Sequence, residues 1–435
     1  DLTPLKAKKQ QLNMIIKDTA LTAATSADSR TTIQHLLRLP VLVAALGYMV
    51  DMYDLFLFSI IRVPSLKSLN LSDESILKDG LMLLNLQMAG MLIGGIVWGI
   101  MGDKKGRLSV LFGSILIYSL ANIGNGLVTS VGAYAVLRFI AGFGLAGELG
   151  AGITLVSEIL PNKLRGYGAT LVATMGVMGA LLAYLVSYFF DWRISYFIGG
   201  GLGLLLMIMR IRVFESGIFL KLKEKKVKRG NVFMLLNNRK RFIKYLNGII
   251  IGMPIWFVVG ILITFSPEFG LALGLDQPVN AGKAVMLAFS AQVAGNLVSG
   301  FLSQYLQSRK KAILVFMMIS VSLVITYLLV PFHSAAWFYV ICAGLGFSSG
   351  YWTLFITVAA ELFGSNLRAT VATTIPNFVR ATVIPLTALF LLMQTYTSII
   401  YSALIVGLIA YALAVVSLFY LEETFKKDMN YTEEE

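Results

Sequence analysis

Five ionisable side chains interrupt stretches that are otherwise hydrocarbon: Asp51, Asp54, Arg138, Glu148 and Arg380. Charge inside a bilayer is costly unless the group is protonated, paired or facing water, so each of the five is a functional candidate. Asp51 and Asp54 are three residues apart and share one helix face, which Tyr48 extends. Two carboxylates that close do not both ionise cheaply at low dielectric, so at least one is suited to cycling a proton. Asp54 keeps a second reading, as a structural acceptor for a neighbouring helix. Arg138 and Glu148 lie ten residues apart on one helix, about 15 Å along its axis, too far to pair directly. Arg138 is expected to neutralise Asp51 or Asp54 or to assist proton transfer, and Glu148 is a second proton-binding candidate. Arg380 is the one cation in the core of the second half, with Asn377 one turn earlier and Pro376 and Pro385 loosening its helix. A guanidinium facing a cavity holds a carboxylate by two parallel hydrogen bonds; the other reading of Arg380 is a structural ion pair.

The elements that hold these groups follow from composition. Apolar residues make up 57% of the chain and charged ones 14%, against about 25% charged in soluble domains, and the mean hydropathy is +0.78. A spanning helix needs roughly 20 apolar residues. Charged and Gly/Pro punctuation divides the chain into twelve such stretches, near 39–62, 80–102, 108–128, 131–158, 166–189, 194–213, 245–266, 282–306, 310–331, 335–361, 367–394 and 397–421. The expected fold is therefore an all-α membrane protein with twelve transmembrane helices. A polar N-terminal segment, 1–38, precedes a six-helix half, 39–213; a basic linker, 214–244, leads to a second half, 245–421, and a tail, 422–435.

The net charge of +13 raises the question of nucleic acid, and its distribution answers it. With the N-terminus in the cytoplasm, Arg62, Lys67, Lys78, Arg193 and Lys283 fall outside, Arg138 and Arg380 fall within helices, and the remaining 29 of 36 Lys and Arg fall inside. That is the positive-inside bias. It places both termini in the cytoplasm and leaves no excess for a nucleic-acid site. The linker's basic run is read as a solvated loop beside anionic lipid headgroups. One cysteine, Cys342, forms neither an internal disulfide nor a metal cluster. His35 and His333 lie near opposite membrane surfaces, so no metal, cofactor or His-based catalysis is expected, and no nucleophile and base pair suggests an enzyme.

An internal repeat supports two halves. Ala141-Gly142-Phe143-Gly144 recurs as Ala343-Gly344-Leu345-Gly346 at an offset of 202, and Glu158 with Arg165 recurs as Glu361 with Arg368 at 203. Gly142, Gly144 and Gly147 also spell a dinucleotide fingerprint, but they lie inside an apolar helix with no preceding strand, which favours close helix packing. Between the second and third stretches stands a charged turn, Gly99-Ile-Met-Gly102-Asp103-Lys104-Lys105-Gly106-Arg107. Its second copy has decayed: Ser303-Gln304 precedes Ser308-Arg309-Lys310-Lys311, with Gln in place of the acid.

The charged turn resembles the signature of the major facilitator superfamily. Within it the chain is similar to the metabolite:proton symporters, which carry proline and betaine, α-ketoglutarate, citrate or shikimate. That resemblance rests on Gly47 to Phe56, on Arg138 to Ala151, on Glu158, Pro161, Arg165 and Gly166, and on Trp192-Arg193 and Glu215 to Phe219. Asp51 stands where Glu is usual, Met52 where Trp is usual, and Ala141 where Gln is usual. The resemblance implies a substrate site between the halves near the bilayer midplane. It also implies a cytoplasmic gate built from Gly102, Asp103, Gly106, Arg107, Glu158, Arg165, Glu361 and Arg368. Tyr48, Tyr53, Asn377, Trp256, Gln292 and Trp352 join Arg380 as candidate substrate contacts, with helix packing as the other reading of the aromatic residues. The expected protein is a monomeric, proton-coupled importer of a small organic anion or zwitterion in a bacterial inner membrane. Two alternatives stand, a proton-driven exporter of drug-like or siderophore-like molecules and a non-transporting receptor or structural protein.

Overall fold

The computed structural model describes residues 37–160, 165–211, 235, 237–331 and 334–425. The N-terminal segment, His35, His333, nearly all of the basic linker with Glu215 and Phe219, and the end of the tail lie outside the described residues. So do the side chains of Asp103, Arg107, Glu158, Arg165 and Arg368.

The described chain is helical throughout its apolar stretches. The helices are α1 Leu39–Ser68, α2 Asp73–Lys105, α3 Arg107–Leu127, α4 Val131–Leu145, α5 Glu148–Ile159, α6 Arg165–Phe189 and α7 Trp192–Arg210. They continue with α8 Arg239–Phe257, α9 Ser266–Ala272, α10 Ala281–Tyr305, α11 Arg309–Leu329, α12 Ala335–Ser348, α13 Trp352–Glu361, α14 Ser365–Ala381, α15 Val383–Gln394 and α16 Ile399–Tyr420. Among these residues ten helical runs are long and apolar enough to cross a membrane, beside two shorter apolar helices, Val131–Leu145 and Thr174–Phe189. Burial is inverted relative to a soluble protein. Leu205, Ile208, Val340, Leu413 and Val416 are exposed on the outer surface while Asp51, Asp54, Arg138 and Arg380 are buried, the arrangement that a hydrocarbon solvent requires.

Several long helices break near their middles. Ala146 and Gly147 separate α4 from α5, the π-helical turn Val258–Ile263 follows α8, the 3₁₀ turn Ser349–Tyr351 separates α12 from α13, and Thr382 separates α14 from α15. A break frees backbone groups that lipid cannot satisfy, so protein must. The Ala146 carbonyl accepts from Asn377 Nδ2 at 3.1 Å, and Gly350 O accepts from Ser299 Oγ at 2.8 Å. The repeated glycines do the packing expected of them. A Cβ on Gly142 would sit 2.0 Å from the Gln87 carbonyl oxygen and one on Gly346 1.9 Å from that of Ala288, so α4 crosses α2, and α12 crosses α10, with backbones nearly touching.

Among the contacts that join the early and late parts of the chain, α2 packs against α14 and α6 against α10. They bring the charged residues of α1 and of α14 into one interior. Two arginines counted outside the helical core in the sequence reading, Arg62 and Arg210, are both fully buried in the protein, each beside a carboxylate, Glu268 and Glu148.

Candidate functional site

The site begins with α1, whose Pro40 occupies the first turn, where a missing N–H costs nothing. This helix carries Tyr48, Asp51 and Asp54 inward against α6 and α7. Gly199 on α7 makes room for Asp54, since a Cβ there would lie 2.4 Å from Oδ1. Asp51 and Asp54 are both 0% exposed, and none of their four carboxylate oxygens accepts a hydrogen bond of ordinary geometry among the described residues. Their neighbours are charges. Asp51 faces Arg380, Glu148 and Arg210, and Asp54 faces Asp51, Arg138 and the Asn122 amide.

Arg380 reaches this place from α14, one helical turn after Asn377, which serves both sides of the interface. Asn377 Oδ1 accepts from Arg380 Nη1 at 3.2 Å, while its Nδ2 donates to the broken helix at Ala146. The Arg380 guanidinium lies 5.9 Å from the Trp256 ring centroid, and among the described residues neither Arg380 Nε nor Trp256 Nε1 has a hydrogen-bond partner. Tyr48 shares the same field, with Arg380 and Asp51 as its charged neighbours. Among the described residues the interior thus holds a guanidinium Nε and an indole N–H without hydrogen bonds, and a carboxylate without hydrogen bonds in the electrostatic field of that guanidinium. Such groups recognise and exchange a carboxylate and a proton.

Arg138 is held differently. Its guanidinium lies 4.8 Å from the Phe58 ring and 6.0 Å from the Tyr196 ring, and Nη1 donates to the Tyr196 hydroxyl at 3.5 Å. That hydroxyl also pairs with Tyr134 at 2.6 Å. Arg138 therefore stands beside Asp54, and its Nε and Nη2 remain without hydrogen bonds.

Glu148, the second proton-binding candidate, has a partner in the interior. Arg210 grips it with two bonds, Nη1 to Oε1 at 2.8 Å and Nη2 to Oε2 at 2.7 Å, and Ser114 donates to Oε1 at 3.1 Å. The remaining capacity of Nη1 goes to the Leu111 carbonyl at 2.8 Å. Gly47 completes the seat, for a Cβ there would lie 2.2 Å from Arg210 Nη2. Residue 210 lies within the stretch expected at 194–213, so sequence position alone could have placed it inside; an arginine near a helix end reads first as an interfacial anchor.

Three other candidates make contacts within the helical framework. The Tyr53 hydroxyl donates to the Ser195 carbonyl at 2.8 Å, Gln292 Nε2 donates to the Ser349 carbonyl at 3.4 Å, and Trp352 packs on Phe355 with centroids 5.6 Å apart. Among the described residues none of the three hydrogen-bonds to Arg380 or stacks on it.

Two clusters cap the interior. At one end Arg62 pairs with Glu268 at 2.6 Å, Thr264 donates to Ser59 at 3.0 Å, and Phe56 packs on Phe289 at 3.9 Å, each joining α1 to a late element. At the other end Gly106 turns the chain from α2 to α3 with φ of 101°, a backbone conformation that favours glycine. The decayed second turn there has found another acid. Glu423, beyond α16, accepts from Ser308 Oγ, from Arg309 N–H at 2.9 Å and from Lys310 N–H at 3.3 Å. Thr424 donates to Glu361 at 2.6 Å, and Arg309 pairs with Glu361 at 3.3 Å. Burial works to raise the Glu423 carboxyl, but these donors outweigh it and hold the group below its ordinary value.

Comparison with known proteins agrees with this architecture. A family model described as Major Facilitator Superfamily matches residues 44–381. The niacin transporter NiaP of Acinetobacter baylyi is 32% identical over 178 residues, 40% of this chain and 40% of that protein; the chain thus spans about two fifths of that relative's length. The gentisate transporter of Corynebacterium glutamicum is 26% identical over 341 residues, 74% of this chain and 73% of that protein. The crystal structure of a D-xylose-proton symporter superposes with a TM-score of 0.67 at 16% identity, covering 89% of this chain and 98% of that one, which shows a shared fold.

Proposed function

The chain belongs to the major facilitator superfamily, a family of membrane transporters and not of enzymes, and on that premise we propose that it is a proton-coupled importer of a small carboxylate-bearing solute. The solute is an organic anion or a zwitterion, carried by alternating access. The observation that carries this reading is the Asp51 carboxylate, wholly buried and without hydrogen bonds, facing an Arg380 guanidinium that arrives from the other part of the chain. Arg380 serves two carboxylates in turn. In the empty site it balances Asp51; an arriving substrate carboxylate takes the guanidinium, and Asp51, left without a counter-charge at low dielectric, binds a proton. Trp256 offers a ring face and an N–H beside that guanidinium, which suits a small planar acid, and the likeness to the niacin and gentisate transporters supports the same choice.

In this reading twelve spans form two six-helix halves, both termini face the cytoplasm of a bacterial inner membrane, and the monomer works alone. The Arg62–Glu268 end is then external. The turns at Gly102, Asp103, Gly106 and Arg107, with Glu158, Arg165, Glu361 and Arg368, form the cytoplasmic gate. Uptake of radiolabelled nicotinate and gentisate into proteoliposomes under an inward proton gradient tests the assignment. The expected result is accumulation that Asp51→Asn abolishes while substrate counterflow persists. Full uphill uptake by the Asp51→Asn protein removes Asp51 from the coupling machinery.

A further inference from the structure

Asn377 on α14 uses the two ends of its amide in two different parts of the protein. Its Oδ1 accepts from Arg380 Nη1 at 3.2 Å, one turn along the same helix, and its Nδ2 donates at 3.1 Å to the Ala146 carbonyl, at the break between α4 and α5. Arginine only donates and a carbonyl only accepts, so one orientation of the amide satisfies both. Gly95 on α2 makes room for it, since the nearest atoms to a Cβ there would be Asn377 Nδ2 at 2.9 Å and Asn377 Cβ at 3.0 Å. The Ala146 carbonyl is itself well anchored. Two residues on, Glu148 opens α5 in the two-pronged grip of Arg210, with Ser114 as a further donor.

We propose that Asn377 is a positioning residue that makes the affinity of Arg380 for a substrate carboxylate depend on which way the carrier opens. This rests on the reading of Arg380 as the substrate guanidinium. With Nη1 held by Asn377, the plane of the guanidinium is fixed, and its Nε, without a hydrogen-bond partner among the described residues, is left for a carboxylate. A donor oriented beforehand binds more tightly because less freedom is lost on binding. That orientation depends on both parts of the chain, since Asn377 is aligned from Ala146. α14 packs on α2, which runs to the Gly106 turn, and on α5. With that turn cytoplasmic, opening toward the cytoplasm parts α14 from α2 and α5 and breaks the bond from Asn377 to Ala146. Arg380 then loses its orientation, so substrate is captured at high affinity from outside and released at lower affinity inside. By linkage, substrate in turn favours the state in which the bond is made. Thr387 Oγ1 donates to Asn85 at 2.8 Å between α15 and α2, a tie that involves neither Arg380 nor the break and so supplies a control.

The test compares half-saturating concentrations of nicotinate and gentisate in right-side-out and inside-out membrane vesicles without a proton gradient. Hydrogen exchange of the segment from Phe143 to Gly152 is followed alongside in the purified, ligand-free protein. The unaltered protein is expected to saturate at lower concentration from outside. Asn377→Ala, and Gly95→Ala, whose added methyl meets Asn377 first, raise the outside value by about three- to tenfold, the worth of one hydrogen bond, and leave the inside value unchanged. A merely structural role moves both values or neither, and Thr387→Val keeps the difference between the two sides. Exchange at the break is faster in Arg380→Ala although Asn377 is intact, because the amide has lost one of the two partners that hold it. Equal saturation from both sides in the unaltered protein, or an outside value unchanged in both Asn377→Ala and Gly95→Ala, overturns the affinity switch and leaves carboxylate import standing. Unchanged exchange in Arg380→Ala overturns it whatever the vesicles transport. If neither probe is transported, the import reading falls, while faster exchange in Arg380→Ala still upholds the connection from Arg380 through Asn377 to Ala146.

Discussion

Glu148 and Asp51 occupy the same interior at 2% and 0% exposure, yet they are opposites. Glu148 has a two-pronged guanidinium, a serine hydroxyl and a glycine seat shaped for its partner. Asp51 has charges nearby and no hydrogen bond. A satisfied buried ion pair is a fixed part of a scaffold, and removing one partner strands the other. An unsatisfied buried carboxylate is held in place by the surrounding structure for a purpose other than stability. The two differ in what burial has been made to serve, and only the partners distinguish them.

The largest effect expected from this difference is on stability. Arg210→Ala leaves Glu148 buried and unpaired, at a cost of about 3–5 kcal/mol, and lowers the melting temperature of the purified protein sharply. Removing both charges together, as Glu148→Leu with Arg210→Met, recovers most of that loss, since a well-packed apolar pair substitutes for a buried ion pair. Asp51→Asn moves the melting temperature little or raises it, because no hydrogen bond is lost. A destabilisation by Asp51→Asn equal to that of Arg210→Ala would erase the distinction between the two acids.

A smaller effect falls on binding. Arg380→Lys keeps the charge but loses the planar fork, and the loss of a charge-assisted bond, about 1.5–3 kcal/mol, weakens protection by nicotinate against thermal unfolding by about ten- to hundredfold in concentration. Asn377→Ala leaves Arg380 charged but removes the acceptor that orients it and the donor to Ala146, so its effect on the same measurement is expected in the same direction and smaller. Unchanged protection in Arg380→Lys assigns the guanidinium to the scaffold.

Much of the fold was legible because hydrocarbon length and charged punctuation are properties of the chain alone. Every stretch expected from 39 to 421 coincides with a helix or with two helices in series. The breaks at Ala146–Gly147 and Thr382 were not legible, because they are set by what satisfies the freed carbonyl, and Asn377 lies far along the chain from Ala146. The same holds for the site. Asp51, Asp54, Arg138 and Arg380 announced themselves by being charged within apolar runs. Arg62 and Arg210 did not, since a basic residue at the end of a span is ordinarily an anchor that reaches for water, and only the folded structure brings Glu268 and Glu148 to meet them. Tyr53, Gln292 and Trp352 carry suitable chemistry, but Tyr53 bonds α7, Gln292 bonds the turn at Ser349 and Trp352 packs on Phe355 of its own helix.

The two charged turns give the comparison its smallest and most local test. The first turn keeps its acid, Asp103, in the last turn of α2, whereas the second has Gln304 at the end of α10 and takes Glu423 from beyond α16. Glu423 acts as a cap for the first turn of α11, where free N–H groups and the helix dipole favour a carboxylate. Glu423→Gln keeps the shape but loses the charge, so a cost of about 1 kcal/mol is expected, the size of one helix cap. The sign with pH follows from the lowered folded value. The contribution is complete above the ordinary value of 4.5 and is lost as pH falls through the lower value in the folded protein. Melting curves of the two proteins should therefore differ at neutral pH and converge as the medium becomes more acid than that window. A constant difference through the acid range would show that Glu423 holds the turn by packing and not by its charge.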